Sequence, residues 1–127
     1  MKKSTREWVD KAEADFHSAG REYRARKNPN LDAACFFAQQ SVEKFFKARL
    51  AEAGIPFPKT HDLDVLLDLL VPLEPLWEAF RSGASDLTSF AVAFRYPGES
   101  ATRDMARLAV TNARQIREQI RRDMRLG

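Results

Sequence analysis

The stretch CFFAQQSVEKFFKARL, Cys35 to Leu50, decides how the rest of the chain is read. It holds two aromatic pairs, Phe36 with Phe37 and Phe45 with Phe46, and a polar group between them. Adjacent residues on a helix point roughly 100° apart, so these rings cannot share one narrow core face. Either the helix is buried on more than one side, or part of it meets a partner. Gln40, Glu43 and Lys47 recur at spacings of three and four and form a polar row, with Phe36 and Leu50 at its ends. Phe37, Ser41, Phe45 and Ala48 fall roughly opposite and are expected to line the core. The row has two readings. One is a solvated face whose Glu43–Lys47 pair is worth about a few tenths of a kcal/mol; the other is the floor of a polar groove.

Outward from this segment the chain reads as helices joined by short breaks. Asn30 is a good cap for the helix Leu31 to about Ala53, and Gly54 with Pro56 and Pro58 ends it. Before it, a helix from about Thr5 to Arg26 carries Trp8, Ala12, Phe16, Ala19 and Tyr23 on one face, with Ser4 or Thr5 as cap and Glu7 closing a capping box. After it, Thr60 is expected to cap HDLDVLLDLL, which Pro72 closes. A short helix around Leu76, Trp77 and Phe80, a break at Ser82 and Gly83, and the helical run DLTSFAVAF follow. RYPGES, Arg95 to Ser100, is a turn, and Ser100 is expected to cap a last helix from Ala101 to about Arg125. That helix has the apolar row Ala106, Ala109, Ala113, Ile116, Ile120 and Met124. No segment is a convincing strand. The expected fold is all-α, an antiparallel up-and-down bundle in one domain spanning 1–127.

Composition narrows the function. The chain has 127 residues, a formal net charge of +3 and a single cysteine, Cys35. A lone cysteine cannot form an internal disulfide, which fits a reducing cytoplasm. The N-terminus lacks the apolar stretch of a signal peptide, and no run is long enough to span a membrane. With two histidines and one cysteine, no Cys/His zinc cluster can be assembled, so no metal and no cofactor is expected. GxxxxGK[ST], GxGxxG and GxSxG are all absent, which removes the usual hardware of nucleotide hydrolysis and hydride transfer.

Three further groups bear on binding. His61 stands at a helix start, either as a structural hydrogen-bonder or as a proton-transfer group, since histidine changes charge near neutral pH. Arg95 and Tyr96 either grip a phosphate and stack on a base or simply stop a helix. Arg103, Arg107, Arg114, Arg117 and Arg121 lie on nearly one side of the last helix, either following a nucleic-acid backbone or forming a mixed-charge solvated face with Glu118 and Asp123 nearby.

The order QQSVEKFFKA (Gln39 to Ala48), THDL (Thr60 to Leu63) and RYP (Arg95 to Pro97), followed by a long C-terminal helix, resembles the HEPN domain, and the likeness covers nearly the whole chain. The resemblance implies a four- or five-helix bundle, commonly a homodimer, often paired with a minimal nucleotidyltransferase in a toxin–antitoxin or substrate-binding unit. Carried over by position, Gln40, Glu43, Lys44, Lys47, His61, Asp62, Arg95 and Tyr96 form the candidate nucleotide-facing set. Catalytic HEPN ribonucleases carry an arginine followed, after four to six intervening residues, by a histidine. Here those positions hold Asp10, Lys11 and Ala12 before His17, and Gly54, Ile55 and Pro56 before His61. The expectation is therefore a non-catalytic module with a nucleotide, RNA or nucleotidyltransferase partner. The alternative is a metal-independent ribonuclease toxin that brings His61 and Arg95 together in space.

Overall fold

In the computed structural model, which describes residues 1–127, the helices are α1 (Lys3–Arg24), α2 (Leu31–Ala53), α3 (Leu63–Leu70), α4 (Arg81–Ala93) and α5 (Arg103–Asp123). A 3-10 turn, Pro75–Phe80, leads directly into α4. The two Phe pairs are explained by position: α2 is the central helix and packs against α1, α3, α4 and α5. Phe45 and Phe46 are fully enclosed, Phe37 packs against the core, and Phe36 stays 39% exposed. Burial within the chain thus accounts for three of the four rings. Ser41 satisfies its hydroxyl by donating to the carbonyl of Ala38 at 2.8 Å, which lets it sit in the core.

α1 and α2 run antiparallel, with Thr5 against Glu52 at one end and Asp15 against Lys44 further along. α5 returns antiparallel to α1, placing Arg117 on Glu13 and Arg107 on Tyr23. Its row Ala106, Ala109, Ala113, Ile116 and Ile120 is buried as the spacing requires. At the other end Phe46, Trp77 and Phe80 stack together, and the Trp77 indole N–H donates to Asp123 at 2.7 Å.

Several local expectations are corrected. α1 begins at Lys3 with no side-chain cap, because the Thr5 hydroxyl donates to Glu52 of α2 instead. Asp62, not Thr60, caps α3 by accepting the Asp64 N–H at 2.9 Å, while Thr60 accepts the Asp62 N–H. Thr102 rather than Ser100 caps α5. No break occurs at Ser82 and Gly83. Both lie inside α4, where the missing side chain of Gly83 admits Asn112 of α5; a Cβ there would stand 3.2 Å from its side chain. Gly54 ends α2 as expected, in the left-handed region at φ 70°, with its N–H and that of Ile55 closing on Ala51 and Leu50.

No helix is long and apolar enough to cross a membrane. No group of three or more His, Cys, Asp or Glu side chains is placed to hold a metal ion.

Candidate functional site

Glu43 sits in the middle of α2 and is only 3% exposed. Its Oε2 accepts from Lys47 Nζ at 2.9 Å, and its Oε1 meets His61 Nδ1 at 2.9 Å, Gln39 Nε2 at 3.2 Å and Gln40 Nε2 at 3.4 Å. Burial pushes the Glu43 carboxyl up, but the hydrogen bonds from Lys47, His61 and Gln39 outweigh it and hold the group below its ordinary value. The carboxylate is therefore ionised near neutral pH and can only accept, so the proton of the His61 contact resides on Nδ1. The Nε2 edge is then left to face outward. The His61 side chain is 72% exposed, against 3% for the carboxylate behind it.

Of the two readings of this row, the solvated face fails for a physical reason. After Gly54 the loop Ile55–Asp62 folds back over this face of α2. Gln39 donates to the His61 backbone carbonyl at 2.8 Å, and Gln40 donates to the Gln39 side-chain oxygen, Oε1, at 2.8 Å. Phe57 of the same loop meets Trp8 of α1 edge-on, and the Lys47 ammonium lies 5.4 Å from the Trp8 ring and 5.8 Å from the Phe57 ring. Lys47 is thus enclosed by two aromatic rings and neutralised by Glu43. Every buried polar side-chain atom in the chain has a partner. Part of what this group does is structural: it pins the loop and fixes the start of α3.

The remaining candidates divide. Lys44 leaves the group and pairs with Asp15 of α1. Asp62 is the α3 cap. Arg95 lines a shallow cavity with Asp32, Phe36, Phe37, Phe90 and Phe94, and Tyr96 beside it is exposed. The nearest tie between α4 and the His61 loop is Thr88, which accepts the Leu63 N–H at 3.2 Å. Arg95 follows seven residues later, two residues past the end of α4 at Ala93, and no side-chain hydrogen bond links it to His61, whose ring meets Glu43. Three contributors were missed in the sequence: Gln39, Trp8 and Phe57. Gln39 carried a signal, since it stands four residues before Glu43 on the same face; the two rings reach Lys47 only through tertiary packing.

The model of the family described as the HEPN domain matches residues 5–123. The chain belongs to the HEPN domain family. The match takes in all five helices, so the polar group of α2 and the His61 loop are parts of the HEPN fold rather than additions to it. At the coarse level, membership places the chain among nucleotide- and RNA-related modules. No curated protein and no solved structure matches it.

Proposed function

We propose that this HEPN domain is a non-catalytic nucleotide-binding module that works beside a minimal nucleotidyltransferase, in a toxin–antitoxin or substrate-binding unit, and does so as a homodimer. The carrying observation is the arrangement of Glu43 and His61: a saturated, buried carboxylate holds one exposed imidazole in a fixed orientation, with its Nε2 edge outward. Such an edge donates to a phosphate when protonated and accepts from a ribose or base when neutral. Gln40, half-buried beside it, supplies a polar flank. Lys47 acts through Glu43 rather than on the ligand, and Arg95 with Tyr96 offers a separate cationic and aromatic contact at the far end of α4. The absence of an arginine at the ribonuclease spacing ahead of either histidine supports the non-catalytic reading. Calorimetric titration with ATP, GTP and a short RNA tests it. Saturable binding that His61→Ala weakens at least tenfold is expected; no binding by any of the three, alone or with a co-expressed nucleotidyltransferase, contradicts it.

One observation favours the ribonuclease alternative. A carboxylate bound to Nδ1 is the arrangement that makes Nε2 an effective general base. Growth on expression separates the two readings: a ribonuclease arrests growth in a His61-dependent manner, whereas a binding module leaves cells expressing the chain and its His61→Ala variant growing alike.

A further inference from the structure

The arginines of α5 form a straight row along its seam with α1. Arg103, Arg107, Arg114, Arg117 and Arg121 fall within about 80° on the helix wheel, and Arg125 continues the line just past the helix end. From Arg103 to Arg121 the row runs about 27 Å. α1 props it from beneath. Arg103 donates to the Tyr23 carbonyl and lies 5.5 Å from its ring, Arg107 donates to the Tyr23 hydroxyl, and Arg117 lies 4.8 Å from the Phe16 ring.

The charge along this row is not balanced. Glu13 takes both Arg117, bidentate at 2.9 and 2.8 Å, and Arg121 at 3.4 Å, and exposed Asp104 takes Arg107. Six guanidinium groups thus face two carboxylates. At the margins, Asp10 and Glu118 are matched by Arg6 and Arg122 around two open depressions that share Arg121 and Arg125. Arg114 and Arg125 are exposed and engage no carboxylate. A solvated mixed-charge face would pair these charges among themselves; this one leaves about four positive charges in line.

We propose that the α1–α5 arginine row is a second binding surface, which takes the phosphodiester backbone of single-stranded nucleic acid without reading its bases. Guanidinium groups match phosphate oxygens in fork geometry. A duplex winds each strand through a full turn in about 35 Å, so either backbone leaves a straight row of this length, while a single strand can follow it. This surface is independent of the His61 group and does not rest on the reading given for it.

The test is fluorescence anisotropy of the full chain with a labelled short oligouridylate and the matching oligothymidylate. Both are expected to bind, and with four contacts at about 0.7 each in the logarithmic salt slope, affinity should fall about 50-fold between roughly 50 and 200 mM salt. Arg114→Gln with Arg125→Gln removes two exposed groups that hold nothing in the fold, and should lower that slope by about 1.4. Lys11→Gln, which removes one cation from the face of α1 turned about 140° from Phe16, should leave it unchanged. No binding at the lower salt overturns the proposal, as does a loss with Lys11→Gln equal to that with Arg114→Gln. Binding of only one of the two strands, or equal binding of an oligoglutamate, would also overturn it.

Discussion

Glu43 accepts from four side chains, three on its own helix and one on the following loop, and in so doing neutralises Lys47 and orients His61. Removing it leaves an ammonium buried without a partner. Glu43→Ala should therefore cost about 3–5 kcal/mol in a urea melt, while Lys47→Met, which keeps the packing between Trp8 and Phe57, should cost clearly less than Lys47→Ala. The spacing of Gln40, Glu43 and Lys47 disclosed one face but not its burial, because the cover comes from residues 55–62 and no helical periodicity reports on a loop. Cys35 makes a second residue-scale case. Burial pushes its thiol up to about 11, so the protein should resist alkylation at pH 8 when folded and react with one equivalent of reagent in denaturant. Fast labelling of the native chain would show that the start of α2 opens far more readily than this packing allows.

At the scale of elements, the long amphipathic helices were legible because their periodicity is strong. α2 runs over the residues expected of it, and α5 differs by two residues at each end. Helix starts were less legible. Several Ser and Thr residues could cap, and which one does depends on partners far away in sequence, as Thr5 shows by turning to Glu52. Gly83 read as a break because glycine is a poor helix former, yet here it is the contact point that lets α5 approach α4. Gly54 has the opposite character, since its positive φ is what closes α2. Gly54→Ala should destabilise the fold by about 1 kcal/mol by thermal melt, with the His61 loop loosening first.

For the whole molecule, two carboxylates tie stability to pH. Burial raises Glu13 and Glu43 alike, but Arg117 and Arg121 on the first, and Lys47, His61 and Gln39 on the second, hold both below the ordinary 4.5. Folded values below the unfolded ones mean that these groups contribute stability above about pH 4.5 and lose it progressively as pH falls below that. Urea midpoints should accordingly be flat from pH 7 to 5 and drop beneath. Glu43→Gln should flatten part of that drop. The oligomeric state belongs to this scale too. Three of the four α2 rings are covered within the chain, which leaves Phe36 with Val92 and Tyr96 as exposed apolar surface near the end of α4; sedimentation at micromolar concentration should give a dimer that Phe36→Ser weakens. The general HEPN architecture could be read from motif order, whereas the aromatic enclosure of Lys47 could not, because Trp8 and Phe57 reach it only through tertiary packing.

The most direct test of the account uses the fact that the chain has only two histidines, His17 on the exposed face of α1 and His61 at the loop. Their imidazole signals can be followed by NMR as ATP is titrated in, with His17→Gln for assignment. The account predicts that the His61 resonances shift saturably while those of His17 stay in place, and that Glu43→Gln weakens the response. Movement of neither histidine, or equal movement of both, would contradict it.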